Sequence, residues 1–219
     1  MQVTIKDVAR EANVAPSTVS RVIANSSRIS QKTKERVRQA MDELGYYPNV
    51  HARSLANRTT QAIGLVMPSA ATKTLQNPFF SEVIRGISTK AHQNGYSLYM
   101  TTGVSEEEVY EGVVSMVQGR RVDGVVVLYS RTDDKVVQFL QDSKFPFVVV
   151  GKPFSDSSHV TYVDTDNYLA GREVTKYLHQ LGHECIAFVG GAQDLAVTQE
   201  RVGGYKTALM EEGIPIHES

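Results

Sequence analysis

The stretch Pro16-Ser17-Thr18-Val19-Ser20-Arg21-Val22-Ile23 decides how the first part of the chain folds. Pro16 suits the first position of a helix, because the N–H it lacks would have no partner there. Val19, Val22 and Ile23 then fall on one helical stripe and leave Ser17, Thr18, Ser20 and Arg21 outside it. Upstream, Thr4 stands three residues before Asp7, the spacing of a capping box with Asp in place of Glu or Gln. Ile5, Val8, Ala9 and Ala12 follow at helical spacing, and Asn13-Val14-Ala15 is a short break. Downstream, Asn25-Ser26-Ser27 marks a loop. Ser30 is placed to cap a third helix with Val37, Ala40, Met41 and Leu44 on its apolar face, and Gly45 stands where a helix-ending glycine belongs.

Two helices separated by about three residues, the second short and polar on one side, form a helix-turn-helix. Such a second helix fits the DNA major groove: small hydroxyls reach phosphates, and an arginine can bridge guanine O6 and N7. Generic helical hairpins share the pattern, so charge is a second test. The 219-residue chain has a formal net charge of -1, which hides an asymmetry. Residues 1–60 hold ten Lys or Arg against five Asp or Glu, while the remainder holds thirteen against nineteen. A basic module ahead of an acidic body is the charge pattern of a nucleic-acid reader with a separate body.

From residue 61 the pattern alternates between apolar runs and helical stretches. Strands are predicted over 62–67, 96–100, 124–129, 147–150 and 160–163, with helices over 80–93, 106–118, 133–141 and from Asp164 to Leu181. That alternation describes an α/β unit with a parallel sheet. Beyond it come an apolar run, Cys185 to Val189, read as a strand that buries Cys185, and a helix near 201–211. A single strand cannot satisfy its own backbone groups, so this second lobe is read as incomplete.

Several chemistries are disfavoured. A lone cysteine forms no intrachain disulfide and fits a reduced compartment. The first residues carry Lys6, Asp7, Arg10 and Glu11 where a signal peptide needs an apolar core, and no run approaches a membrane span. A cytoplasmic protein that does not meet the membrane is expected. His179 and His183 are spaced like metal ligands, but Gly182 separates them and no Glu follows His179. There is no G-x-G-x-x-G, P-loop or G-x-S-x-G motif. No enzyme activity, cofactor or metal is expected.

Val3-Thr4-Ile5-Lys6-Asp7-Val8-Ala9, Ser17-Thr18-Val19-Ser20-Arg21-Val22 and Gly45-Tyr46-Tyr47-Pro48-Asn49 together resemble the lactose-repressor (LacI/GalR) family of bacterial transcription regulators. The later Val163-Asp164-x-Asp166-Asn167 and Leu181-Gly182-His183 resemble the same family's core. Val149-Val150-Gly151-Lys152-Pro153 is similar to the maltose-operon repressors of Gram-positive bacteria within it. The resemblance implies an all-α helix-turn-helix head on an α/β periplasmic-binding-protein-like core, C-terminally incomplete. Its parts would be a head over 1–48, a hinge over 49–60, a first lobe over 61–161 and the start of a second lobe over 162–219. It implies that Ser17 and Arg21 contact bases with Arg28 near the groove, and that Thr18, Ser20, Ser30 and Thr33 hold phosphates. Ile5 and Asn49 join them as DNA-binding candidates, and Leu55 in the hinge would wedge into the minor groove. Ala15 stands where a Ser or Thr cap is usual, and Ala24 where Asn is usual.

For the core, the resemblance implies effector contacts at Phe79, Phe80 and Arg201. Aromatic faces suit the apolar patches of a sugar but also suit plain packing; Arg201 is read as a ligand contact, with a surface ion pair as the alternative. Asp164 is expected to cap the helix that follows it. The function implied is a homodimeric repressor of a maltose or α-glucoside operon, bound to a pseudo-palindromic double-stranded operator and controlled by a small-molecule effector. The alternative is a sugar-binding module or transport receptor sharing the core.

Overall fold

A computed structural model describes residues 3–47, 59–68, 76–101, 103–154 and 159–216. The chain divides into two compact units, Met1–Thr59 and Thr60–Ser219.

Among its described residues the first unit holds three helices, α1 (Ile5–Glu11), α2 (Pro16–Ile23) and α3 (Gln31–Leu44). The Asp7 carboxylate closes the start of α1 by accepting the Thr4 N–H at 3.0 Å and the Thr4 hydroxyl at 2.6 Å. Each helix ends through a residue in the left-handed region, Asn13 at φ 48°, Asn25 at φ 52° and Gly45 at φ 62°. Asparagine and glycine are the residues that tolerate this conformation. The next N–H then turns back onto the helix: Val14 onto the Ala9 carbonyl, Ser26 onto Arg21 and Tyr46 onto Met41, at 2.8–2.9 Å. Val8, Val19 and Val37, one from each helix, are fully buried together with Ala9, Ala12, Val22 and Ala40. Ile5, Val14, Ile23, Ile29, Met41 and Leu44 pack around that core.

The second unit is built on five strands, β1 (Ala62–Val66), β2 (Ser97–Thr101), β3 (Gly124–Val127), β4 (Phe147–Val150) and β5 (Tyr162–Val163). They lie in the order β2-β1-β3-β4-β5 with every pair parallel. The crossovers are α4 (Pro78–Gln93), α5 (Glu106–Gln118) and α6 (Lys135–Asp142); α7 (Asn167–Gln180) and α8 (Ala196–Glu211) follow β5. The core lies where Val66, Val125, Val127 and Val149 of the sheet meet Val109, Val113 and Met116 of α5 and Leu140 of α6. The order reverses between β1 and β3, and open α/β sheets commonly bind ligands at the carboxyl ends of strands at such a switch point. The entry to this unit is pinned by Asp123, whose carboxylate accepts the Thr60 N–H at 2.7 Å, the Thr60 hydroxyl at 2.8 Å and the Gln61 N–H at 2.9 Å.

Four sequence expectations change. Residues 185–189 form no strand: no strand lies beside them among the described residues, and the Ile186 carbonyl instead accepts the Tyr205 hydroxyl at 2.8 Å. Cys185 is accordingly exposed rather than buried. The cap of α7 is Asp166, which accepts the Leu169 N–H at 2.8 Å, while Asp164 accepts from the Asn167 side chain. The last helix starts at Ala196, five residues before the expected 201, because the Leu195 carbonyl already accepts the Gln199 N–H.

Candidate nucleic-acid interface and ligand site

Around α2, Val19 and Val22 point into the head core and fix the helix from behind. Successive residues turn by 100°, so Ser17 and Arg21 come out opposite that buried edge, with Thr18 and Ser20 on its flanks. Ser17, Ser20 and Arg21 are exposed and Thr18 is half-buried. Among the described residues none of the four uses its side chain in a hydrogen bond or ion pair, so the whole polar face is available to a partner. Ala15 precedes the helix in an extended conformation and offers no side-chain cap. The start of α2 thus leaves its first-turn N–H groups without a side-chain acceptor, a setting that favours an anion.

Arg28 stands exposed in the loop after α2, its N–H donating to the Ser26 hydroxyl at 3.3 Å. Ser30 and Thr33 serve the fold first: the Thr33 N–H donates to the Ser30 hydroxyl at 3.3 Å, and the two hydroxyls lie 2.9 Å apart. Ile5 packs against the head core and is half-buried. Asn49 and Leu55 lie outside the described residues.

In the core, the effector candidates fall into two clusters. Phe79 and Phe80 occupy the first turn of α4, which starts on Asn77; the Asn77 side chain accepts the Phe79 N–H at 3.0 Å. The two rings meet edge to face with centroids 5.2 Å apart, and Phe79 is 51% exposed. Arg201 sits on α8, and its Nε–H donates to the Asn167 Oδ1 at 2.9 Å. Asn167 is buried, and its amide nitrogen donates to the Asp164 carboxylate at 2.9 Å and to the Thr165 carbonyl at 2.8 Å. Its oxygen is thereby turned toward Arg201. No carboxylate pairs with Arg201 among the described residues; its guanidinium is held by Asn167.

This placement depends on glycines. α7 and α8 cross so closely that a Cβ on Gly171 would meet the Arg201 carbonyl oxygen at 2.4 Å, and one on Gly204 the Tyr168 carbonyl oxygen at 2.0 Å. Asn167 was quoted in the sequence only as part of a motif, and its hold on Arg201 was not foreseen; for the close helix crossing at Gly171 and Gly204, the Gly203-Gly204 pair inside a helix was the available signal.

A pocket of about 430 Å³ lies elsewhere, lined by Arg131, Asp134, Val137, Gln138, Pro153 and Phe154 among others. Arg131 pairs with Glu106 of α5 and with Asp194 ahead of α8, and lies over the Tyr129 ring at 5.2 Å. Tyr129 is buried, and desolvation first, then the Asp134 charge, raises its pKa well above the ordinary phenol value. These groups serve packing between elements.

Among the described residues, three helices with a helix-turn-helix and then an open parallel α/β core define a two-part class of fold. Residues 4–49 match the family model described as bacterial regulatory proteins, lacI family. Residues 60–219 match the model for periplasmic binding proteins and the sugar binding domain of the LacI family. This chain belongs to the LacI family. It is 48% identical over 95% of its length to the HTH-type transcriptional regulator MalR of Streptococcus pneumoniae, and spans 63% of that relative. The lac repressor dimer bound to operator and an anti-inducer aligns over 98% of this chain and 64% of its own, at 27% identity and a TM-score of 0.81. A structure described as the probable maltose operon transcriptional repressor from Staphylococcus aligns over 73% of this chain and 57% of its own, at 31% identity and a TM-score of 0.69.

Proposed function

We propose that the protein is a homodimeric, sugar-responsive repressor that reads a pseudo-palindromic operator through α2. The observation that carries this reading is the open polar face of α2, with Ser17 and Arg21 opposite two buried valines. Ser17 and Arg21 face bases and Arg28 lies near the groove. Thr18, Ser20, Ser30 and Thr33 hold phosphates beside Ile5 and Asn49, and Leu55 supplies a minor-groove wedge. The head, hinge and first lobe run over 1–48, 49–60 and 61–161, and the second lobe starts at 162. Two-fold symmetry follows because a palindromic site presents two equal half-sites.

The effector is a small sugar, with maltose or a related α-glucoside first in line, a choice supported by the likeness to MalR. Phe79 and Phe80 offer ring faces to its apolar patches, and Arg201, oriented by Asn167, offers hydrogen-bond donors. The chain acts in the cytoplasm and catalyses no reaction; no helix among the described residues is long and apolar enough to cross a membrane. Effector binding shifts the protein between states that differ in DNA affinity, by its differential affinity for those states. The test is to select duplexes from a randomised pool with the full-length protein, then titrate maltose, cellobiose, galactose and glucose against the complex. One sugar should change the DNA affinity at least several-fold. No selected sequence, or no response to any sugar, would refute the proposal.

A further inference from the structure

Lys34 stands in the first turns of α3, where a positive charge faces the positive end of its own helix. Its side chain is half-buried and reaches the end of α2. It donates to the Asn25 side-chain oxygen at 3.0 Å and to the Asn25 carbonyl at 3.4 Å. Asn25 is the left-handed residue that ends α2, one step before the Ser26 N–H that bonds the Arg21 carbonyl at 2.9 Å. Lys34 therefore ties the negative end of α2 to the body of the head. That end carries Arg21 in its last turn and leads directly into the loop bearing Arg28.

The opposite end of α2 has no comparable hold, because Ala15 supplies no side-chain cap. Among the described residues, α2 is held by its buried valines, by Ile23 at the edge of the core and by this side-chain anchor. The far side of the Arg28 loop is held by Ile29, packed against the head core, and by the Ser30 cap. The near side rests on Asn25.

We infer that Lys34 is a positioning residue for base readout: acting through Asn25, it sets where Arg21 and Arg28 meet the duplex without itself being spent on a phosphate. This rests on the DNA-reading assignment made above. It separates Lys34 from a neighbour such as Lys32, which is exposed and has no such tie among the described residues.

The test uses the full-length protein on a duplex selected by the wild type and on the same duplex changed at each half-site position, over a series of NaCl concentrations. Lys34→Met should lower the preference for the selected base roughly threefold or more at one or more positions. The slope of log affinity against log salt should stay that of the wild type, since no phosphate contact is lost. Lys34→Arg should restore the preference. Asn25→Gly keeps the left-handed turn without the side-chain acceptor; it should reproduce the loss, and the double variant should lose no more than either single one. If Lys34→Met does not fold, as judged by its thermal transition, Lys34→Gln, which keeps a donor but not the charge, is read the same way. Weakening that is uniform over all duplexes, with the salt slope reduced by about one, makes Lys34 a phosphate contact and overturns the inference. So does an unchanged base preference. A wild type with no base preference at all overturns the DNA-reading assignment instead.

Discussion

Helices α2 and α6 are each eight residues long, and they are held in opposite ways. α6 starts on Asp134, whose carboxylate accepts the Val136 and Val137 N–H groups at 2.8 and 3.2 Å. It buries Val136, Val137 and Leu140 in the core of the second unit. α2 starts on Ala15 with no side-chain cap and buries only Val19 and Val22. One helix spends its residues on capping and packing. The other is braced from behind and at its far end, and keeps a polar face open. Similar amphipathic patterns therefore serve different purposes, and the difference lies in what the ends and the outer face are bonded to.

The largest effect expected is on the packed side. Leu140→Ala removes a fully buried side chain and should cost about 2–5 kcal/mol in urea unfolding of the second unit, with the base preference of α2 unchanged. A cost under 1 kcal/mol would mean that α6 is less essential to its core than its burial implies. On the open side, Arg21→Ala should cost about 1–3 kcal/mol of operator affinity and relax preference at one position per half-site. Its thermal midpoint should not move, since Arg21 is exposed. An equal loss on every sequence would make Arg21 a phosphate contact.

Smaller effects come from the helix starts. Ala15→Ser should add about 0.5–1 kcal/mol to the stability of the head, read as a higher thermal midpoint, by giving α2 the cap it lacks. No gain would mean that the first turn of α2 is already satisfied. The effect of Asp134→Asn depends on pH. Burial is the largest influence on the Asp134 carboxyl and raises its pKa, against the opposing pull of the Val137 and Val136 N–H groups. A carboxyl raised in the folded state stabilises most when protonated, and that contribution fades as pH climbs through the raised value. Asn caps a helix about as well as Asp and stays neutral. Asp134→Asn should therefore gain on the wild type in urea midpoint as pH rises from about 4 toward 7. A difference that does not vary with pH would contradict this.

What was legible in the sequence follows from how local each feature is. The head could be read almost whole: apolar residues recur at i, i+3 and i+4, and Asn13, Asn25 and Gly45 announce the turns. The parallel sheet was legible from alternation, because each apolar run is followed by its crossover helix. Most of the features that escaped are non-local. Lys34 and Asn25 are nine residues apart, Arg201 and Asn167 thirty-four, and Asp123 and Thr60 sixty-three. Nothing in the spacing of one names the other. The run 185–189 has strand composition but is no strand, since pairing belongs to two segments and not to one. Asp164 and Asp166 could each have capped α7; only the backbone path decides that Asp166 does. Of the candidate DNA contacts, the exposed face of α2 and the Ser30 cap were readable, whereas the contact between the Ser30 and Thr33 hydroxyls was not.

The most direct test is the ratio of two affinities, measured with the full-length protein at one moderate salt concentration. One duplex is the two-fold-symmetric sequence that the protein selects; the other is a scrambled duplex of equal length and composition. A ratio of about 10³ or more is predicted for a specific reader. Equal affinity for both duplexes would contradict it, reducing the head to a general phosphate binder.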